Sequence, residues 1–310
     1  MLKKNFPFIR SSDVVTFVFV TLLTAVEIIF SFRLVHGAAF IISNALLLTV
    51  VYFSARYVHQ YNQNANAFIR LFRDWYLIPS ILFIYTQSSS ISFPIHQRDY
   101  DDVLIAIDQT VFSVNPTQWI SQFAHPFITE ILQIAYSSYY LFFVALFFEL
   151  YRRNDRKEFY SGAMLVVYGF YLSYIGYLLF PAIGPRFTLH DFFATDRELP
   201  GIFFTPYLRQ IVNSGGGVPA GIMDPAAFVH RDAFPSGHTQ LTLVAMYVAF
   251  TFRTKIRWWL LLGGSLLIVS TIYMRYHYVV DVATGVLFFF LTIWSGKKID
   301  AWWNKGIKNV

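Results

Sequence analysis

The chain has no cysteine and few charged residues. Without cysteine it has no disulfide, no thiol nucleophile and no thiolate ligand for a metal. Charged residues make up 14% of the 310 residues, whereas soluble globular domains carry about 25%. This shortage argues against a water-soluble domain. Hydrophobic residues reach 56% and aromatic residues 20%, a balance that suits the hydrocarbon and headgroup layers of a membrane.

Eight apolar segments approach the roughly 20 residues that cross a bilayer as a helix. The third is the weakest, because it carries Thr86, Gln87 and a run of serines near its end. We therefore predict an all-α fold, a polytopic transmembrane helix bundle. The segments cover residues 14–32, 38–55, 76–93, 127–148, 160–180, 237–252, 258–274 and 279–294.

The positive charges predict the orientation, since Lys and Arg accumulate in cytoplasmic loops. With the N-terminus inside, 17 of the 24 basic residues fall on the inner side, and these include every lysine. Because the charges are scattered over several short loops, they indicate topology and exclude a nucleic-acid surface. Both termini are then cytoplasmic. The basic residues on the outer side are Arg33, Arg98, Arg186, Arg197, Arg209, Arg231 and Arg275.

The first long outer segment, residues 94–126, is acidic. Asp99, Asp101 and Asp102 lack the spacing of a recognised cation site, so we expect them to form a solvated acidic loop. The amphipathic stretch 103–112 that follows suits the membrane interface.

The second long outer segment, residues 181–235, mixes aromatic and polar residues and contains a run of three glycines at 215–217. A loop of this length without clear structure is usually functional. Its length alone leaves two interpretations open, a substrate lid and a packed cap.

Three short motifs fall at the outer ends of the last four predicted spans. They are PAIGPR at residues 181–186, FPSGH at 234–238 and RYHYVVD at 275–281. Although they are far apart in sequence, the predicted topology places all three at one depth on one face. This convergence predicts a single site.

Two histidines and an aspartate in these motifs suit proton transfer and nucleophilic attack. His277 and Asp281 are four residues apart, so on a helix they share a face. A carboxylate that accepts the Nδ1–H of an imidazole leaves Nε2 free as a nucleophile or base. His238 is a candidate general acid. Taken singly, each residue is more often structural; Asp281, for example, can cap a helix.

The remaining motif residues suit an anion. Arg186 follows a Gly-Pro turn, and a guanidinium binds phosphate through two hydrogen bonds. Arg275 is close to His277 in sequence. At Ser236 and Gly237 the free N–H groups of a helix start, together with the helix dipole, form an anion site. Considered together, the three motifs predict a site that handles phosphate.

FPSGH at 234–238 and HYVVDV at 277–282 resemble the second and third signature motifs of the type 2 phosphatidic acid phosphatase superfamily. GPR at 184–186 resembles the end of its first motif. The resemblance implies a six-helix phosphatase-type catalytic core in residues 76–310, with extracytoplasmic loops 94–126 and 181–235. Residues 1–75 would add two N-terminal transmembrane helices.

One position distinguishes branches of that superfamily. Many phosphatases have an arginine six residues before the third-motif histidine, where this chain has Thr271. In motif style the chain is more similar to the branch of inositol phosphorylceramide synthase and sphingomyelin synthase, whose members transfer a phospho-headgroup between lipids.

The resemblance implies a membrane phosphatase or phosphotransferase acting on lipid phosphate esters. The alternative within this class is a headgroup transferase that makes an inositol-phosphate or similar phospholipid or sphingolipid. The expected substrates are phosphatidic acid, an isoprenyl diphosphate, or phosphatidylinositol with ceramide.

The resemblance also implies the chemistry. His277 attacks phosphorus to form a phosphohistidine, Asp281 raises its basicity, and His238 protonates the leaving oxygen. No metal and no cofactor is implied. Four residues are expected to bind the phosphate and stabilise its charge in the transition state: Arg186, Arg275, Ser236 and Gly237.

A membrane transporter is the alternative of another class, since the third span is polar and one outer loop is rich in glycine. Against it, the motifs lie at helix ends, whereas transporters bind near the bilayer midplane. A vanadate-dependent haloperoxidase would share the anion pocket, but those relatives are soluble. Short tails favour a bacterial inner membrane with a periplasmic site, and an ER or Golgi membrane with a lumenal site is also compatible. The sequence leaves the oligomeric state open.

Cysteine labelling tests the predicted orientation, because the chain offers no competing thiol. A cysteine introduced near Arg153 should be shielded from an impermeant reagent in intact cells. One introduced near Glu198 should react. Labelling of both positions, or of neither, would contradict the topology.

Overall fold

The computed structural model describes residues 5–153 and 155–305. Within these two stretches the chain forms helices and no strand, so the prediction of an all-α fold is confirmed. Lys3, Lys4 and Lys308, which are part of the predicted inner charge, lie outside the described residues.

Sixteen α-helices follow one another through the described part of the chain. The first eight are α1 (Ser11–Ile29), α2 (Gly37–Tyr61), α3 (Ala67–Trp75), α4 (Leu77–His96), α5 (Asp101–Phe112), α6 (Pro116–Ile120), α7 (Pro126–Ser137) and α8 (Tyr139–Tyr151). The others are α9 (Lys157–Leu179), α10 (Pro185–Thr188), α11 (Thr195–Glu198), α12 (Thr205–Gly215), α13 (Pro225–Phe228), α14 (Gly237–Thr251), α15 (Arg257–Tyr273) and α16 (Val279–Asn304). Short 3-10 turns lie at Ser31–Arg33, Asn62–Asn64, Ser121–Phe123 and Phe192–Ala194.

Each of the eight predicted segments is helical, but some ends differ. The helix predicted to end at residue 55 continues to Tyr61, and the one predicted to end at 294 continues to Asn304. Hydropathy marks where a helix stops being apolar, whereas backbone hydrogen bonding sets where it ends. Hydropathy therefore did not predict the polar last turns of α2 and α16 as part of these helices.

The fourth predicted segment consists of two helices, because α7 and α8 meet at an angle of 49°. Ser138 stands at the break, and its hydroxyl donates to the carbonyl oxygen of Ile134 at 2.7 Å. Such a bond from a serine side chain to the preceding turn bends helices. Tyr136 and Tyr139 flank the bend.

Among the described helices, four are long and apolar enough to cross a membrane: α1, α2 with its following turn, α9 and α16. The bent pair of α7 and α8 would make a fifth. Helix α15 is apolar but has only 17 residues. The eight predicted crossings therefore stay a prediction.

Helix α9 is the centre of the bundle. It contacts α1, α4, α8, α14 and α16. One cluster of buried hydrophobic side chains joins these helices and includes Phe19 of α1, Ile84 of α4 and Leu146 of α8. Since α1 shares this cluster, the N-terminal helix is packed against the helices that carry the motifs.

A buried ion pair fixes the position of α1. The guanidinium of Arg73 in α3 donates to the carboxylate of Asp13 in α1, and their side chains are 2% and 0% exposed. The hydroxyl of Tyr76 donates to the same carboxylate at 2.6 Å. A buried charge is tolerated only when it is paired and hydrogen-bonded, so each partner depends on the other.

We expect Asp13→Ala to lower the free energy of unfolding by about 3–5 kcal/mol, because it leaves Arg73 buried without its carboxylate. The measurement is thermal and chemical unfolding of the detergent-solubilised protein. Asp155→Ala is the matched control: Asp155 forms an exposed ion pair with Lys157 and accepts its N–H at 2.8 Å, contacts worth about 1 kcal/mol. Equal losses for the two variants would contradict the role of the buried pair.

Candidate functional site

A cavity of about 380 Å³ lies where the three motifs meet. Arg186 of the first motif, His238 of the second and His277 of the third all line it. The structure thus brings together side chains that are far apart in sequence, as the predicted topology required. The other walls come from four groups of residues: Leu82, Tyr85 and Thr86 in α4; Tyr136, Ser137, Tyr139 and Tyr140 at the bend; Ile211, Val212, Gly215 and Gly216 around the end of α12; and Ile183, Val229, His230, Asp232, Ala233 and Tyr276 in the loops.

The two histidines face each other. Nε2 of His277 lies 3.4 Å from Nδ1 of His238. The ring of His238, in the first turn of α14, is held between Tyr136 and Tyr139, whose ring centres lie 4.6 Å and 4.5 Å away. These aromatic contacts limit rotation of the His238 ring and keep it at the cavity.

The hydrogen bonds of His277 define which nitrogen is free. Its Nδ1 lies 2.8 Å from the carbonyl oxygen of Ala233 and 3.4 Å from Oδ2 of Asp281. Both oxygens accept hydrogen bonds, so Nδ1 carries the proton in the neutral ring and Nε2 keeps its lone pair. The sequence assigned this task to Asp281 alone. The structure adds a backbone carbonyl that is closer.

Asp281 also stabilises the first turn of the last helix. The expectation that His277 and Asp281 share a helix face is wrong, because α16 starts at Val279, after His277. The Asp281 carboxylate accepts the N–H of Tyr278 at 2.9 Å as part of a capping box. Its backbone oxygen accepts the N–H of Ser236 at 3.0 Å. Asp281 therefore caps α16 while its carboxylate stays near His277, and both interpretations of this residue apply.

Arg186 is positioned by the turn that precedes it. Gly184 has a φ of 91°, and a Cβ there would lie 2.7 Å from the carbonyl oxygen of Tyr276, so only glycine fits. The guanidinium of Arg186 donates to Oδ1 of Asn213 at 2.7 Å and lies 4.8 Å from the ring centre of Tyr276. With a buried side chain aimed into the cavity, Arg186 can bind an anion there.

Asp101 joins the first and third motifs. Its carboxylate accepts the N–H groups of Ile183 at 2.9 Å and Gly184 at 2.8 Å. It also accepts the hydroxyl of Tyr278 at 2.8 Å. One buried carboxylate in α5 thus fixes the turn before Arg186 relative to the residue after His277.

Asp108, two turns further along α5, makes a second such connection. Its two carboxylate oxygens accept the N–H groups of Val279 at 2.8 Å and Val280 at 2.9 Å. These N–H groups belong to the first turn of α16, which the helix itself cannot satisfy. Asp108 therefore holds the start of the helix that follows His277.

The expectation of a solvated acidic loop is wrong for Asp101. Its side chain is buried, as is that of Asp108, whereas Asp102 is exposed. Asp99 pairs with Arg231 at 3.3 Å. Asp101, Asp102 and Asp108 lie on a helix, so neighbours in sequence point in different directions. The sequence therefore did not show which of them face the core.

Three residues assigned to the anion do not line the cavity within the described part of the chain. Arg275 donates to Glu198 at 2.5 Å. The buried hydroxyl of Ser236 caps α14 by accepting the N–H of Thr239 at 3.2 Å. A Cβ at Gly237 would meet the hydroxyl of Tyr177 at 2.1 Å. The glycine is needed for this packing, whereas the sequence suggested that it lets an anion approach.

Residues 181–235 fold into a cap that lines one side of the cavity; that this cap also serves as a substrate lid stays a prediction. The segment contains α10 to α13. The carboxylate of Glu130 accepts four consecutive N–H groups, from Ile202 to Thr205, at the start of α12. The pair of Arg275 with Glu198 attaches the cap to the third motif.

Several cavity residues were missed by sequence reasoning. The hydroxyl of Tyr85 donates to Oδ2 of Asp232 at 2.5 Å and lies 2.9 Å from Nδ1 of His230. Burial lowers the pKa of His230 below its usual value. One signal was available for Tyr85, since it stands beside the polar residues that weakened the third span. Asp232 and His230 precede FPSGH by a few residues, but the sequence around them did not indicate that their side chains line the cavity.

Comparison with known proteins gives one family. The family model described as the PAP2 superfamily matches residues 103–295. A PA-phosphatase related-family protein of Dictyostelium discoideum is 26% identical over 198 residues, which cover 57% of this chain and 32% of that protein. The chain thus spans about a third of the length of this relative. No solved structure matches the chain.

Asp108→Ala should loosen the start of α16. It leaves two N–H groups without their acceptor, at a cost of about 1–3 kcal/mol. We expect amide hydrogen exchange in a peptide covering residues 278–282 to rise about tenfold or more. Asp102→Ala removes an exposed carboxylate from the same helix and should leave this exchange unchanged. Equal exchange in both variants would mean that Asp108 does not hold the helix.

Proposed function

Because this chain belongs to the PAP2 superfamily, we propose that it is an integral membrane enzyme that cleaves or transfers phosphate esters of lipids. The observation that carries the proposal is the convergence of His277, His238 and Arg186 on one cavity. A nucleophile, a proton donor and a cation at one place are what phosphoryl transfer requires.

The bundle supports a location in the membrane. Four described helices have the length and apolarity of membrane spans, and large apolar side chains on them are exposed, such as Leu22, Ile42 and Leu287. In water such a surface would be costly, whereas in lipid it is the expected exterior. We propose a topology with cytoplasmic termini and the cavity on the extracytoplasmic side, in which residues 1–75 supply two transmembrane helices and residues 76–310 the catalytic core. A bacterial inner membrane is the proposed location.

The cavity walls favour a lipid substrate. Leu82, Tyr140 and Ile211 line the cavity and are also 43%, 50% and 67% exposed. Leu82 and Tyr140 belong to α4 and α8, which both pack against α9. Apolar residues shared between a polar cavity and the outer face of a bundle suit a ligand with a phosphate head and hydrocarbon chains.

The first step is attack of Nε2 of His277 on phosphorus. A bond forms between Nε2 and phosphorus, and the bond from phosphorus to the leaving oxygen breaks. His238 gives its proton to that oxygen, while Arg186 stabilises the charge on the phosphoryl oxygens. The carbonyl of Ala233 and the carboxylate of Asp281 accept the Nδ1–H of His277 and stabilise the positive charge that develops on its ring.

The second step regenerates the enzyme. Water or an alcohol attacks phosphorus, His238 takes a proton from it, and the bond from phosphorus to Nε2 breaks. Water gives a phosphatase and a lipid alcohol gives a headgroup transferase, with the same residues serving both. None of these steps uses a metal ion.

The test is product analysis by mass spectrometry on purified protein in lipid micelles with a chelator present. Phosphatidic acid, an isoprenyl diphosphate, and phosphatidylinositol with and without ceramide are the substrates. We expect His277→Ala to lower turnover by about 10³-fold or more, because the nucleophile is lost. His59→Ala changes an exposed histidine in α2 and should leave turnover intact.

A second readout distinguishes loss of the nucleophile from misfolding of the variant. After rapid quenching, the wild-type protein should carry a phosphoryl group on the peptide that contains His277. A product that appears only with ceramide would identify a transferase. Conversion that persists in His277→Ala would refute this mechanism, and the absence of any product would favour a transporter.

A further inference from the structure

The cap carries a row of exposed apolar side chains. Phe203, Phe204 and Tyr207 are 71%, 61% and 70% exposed, and Ile202 and Ile211 are exposed beside them. Phe204, Tyr207 and Ile211 follow one another at intervals of three and four residues, so they share one side of α12 and of the turn that begins it. A contiguous exposed apolar patch indicates a surface that contacts another molecule or a membrane.

The charge of this segment lies on the other side of the helix. Between positions 199 and 223 the chain has one charged residue, Arg209. Because it stands two positions after Tyr207, Arg209 is on the opposite side of α12. Its buried guanidinium donates to the carboxylate of Asp196 and to the carbonyl oxygen of Leu199. An apolar side with its charge turned away is typical of a helix that lies in a membrane interface.

The backbone beneath the row is satisfied without water. The carboxylate of Glu130 accepts the N–H groups of residues 202–205 at 2.6–3.3 Å, and Pro206 has no N–H to satisfy. The first N–H groups of a helix have no partner within the helix, and at an aqueous surface water binds them. A segment that enters lipid has to satisfy them within the protein. Glu130 meets this requirement for the turn that carries the two phenylalanines.

The row continues an apolar surface of the bundle. Glu130 belongs to α7, against which α12 packs. Phe127 and Ile134 stand three and four residues from Glu130 on the same side of α7, and they are 58% and 41% exposed. Helices α7 and α8 together have the length and composition of a membrane span. Side chains that face lipid in the proposed topology therefore border the turn that Glu130 holds.

We propose that Ile202, Phe203, Phe204, Tyr207 and Ile211 form a membrane-docking face. It lies in the outer leaflet, at the boundary between headgroups and acyl chains, and its partner is the lipid surface itself. This inference rests on the membrane location proposed above. Since Ile211 also lines the cavity, docking places one wall of the cavity at the level of the lipid headgroups.

The experiment measures the depth of spin labels, which this cysteine-free chain accepts at single introduced cysteines. Phe203→Cys and Tyr207→Cys are labelled and reconstituted into vesicles of phosphatidylcholine and phosphatidylglycerol. Power saturation is then recorded with oxygen, which concentrates in hydrocarbon, and with a nickel chelate, which stays in water. We expect both labels to lie about 5–10 Å into the boundary of headgroups and acyl chains.

Two control positions calibrate the depth. Arg197→Cys replaces an exposed charged residue of the same cap, and its label should be as accessible to the chelate as a label in water. Leu22→Cys replaces an exposed apolar residue of α1, and its label should be accessible to oxygen and protected from the chelate.

Two results would overturn the inference. One is equal access of the chelate to positions 203, 207 and 197, which would place the row in water. The other is dipolar broadening between labels of neighbouring molecules with both reagents excluded, which would mean that a second copy of the chain covers the row. Either result leaves the proposed membrane location intact if the label at position 22 lies in hydrocarbon. If the chelate reaches that label as well, the proposed location itself fails.

Discussion

The structure of the site depends on two buried carboxylates that accept backbone N–H groups across motif boundaries. Asp101 connects the turn before Arg186 to Tyr278, and Asp108 holds the first turn of α16. Carboxylates satisfied by several N–H and O–H donors are among the stronger polar contacts in a protein. Because both belong to one helix, α5, they fix the first and third motifs relative to each other. His277 directly precedes the third-motif residues that they bind, 278–280.

The two histidines are held in different ways. His277 is fixed through hydrogen bonds of its Nδ1 with the carbonyl of Ala233 and the carboxylate of Asp281. His238 is fixed through ring contacts with Tyr136 and Tyr139, which flank the bend between α7 and α8. Hydrogen bonding selects a tautomer, whereas ring packing selects only an orientation. This difference fits the proposed roles, in which His277 is a nucleophile that needs a free Nε2 and His238 takes up and releases a proton.

Some of the site could be predicted, and the rest could not, for identifiable reasons. The meeting of His238, His277 and Arg186 at one cavity was predicted from motifs that fall at the ends of apolar segments, because a helix of known rise fixes where its end lies. The role of Asp101 could not be predicted, since an acidic stretch has the same sequence pattern whether its side chains face water or the core. Arg275 was expected at the anion and instead pairs with Glu198, because its direction is set by the fold of the cap.

The sequence by itself determined the helical class, the family and the meeting of three motifs. Hydropathy, charge bias and short motifs are local properties, so they can be recognised in the amino-acid sequence alone. Only the tertiary structure decided which polar residues enter the cavity. Tyr85 comes from α4 and Asp232 from a loop 147 positions later, and their contact depends on how α4 and the cap pack around α9. Side-chain direction arises from packing between elements distant in sequence, and no local pattern records it.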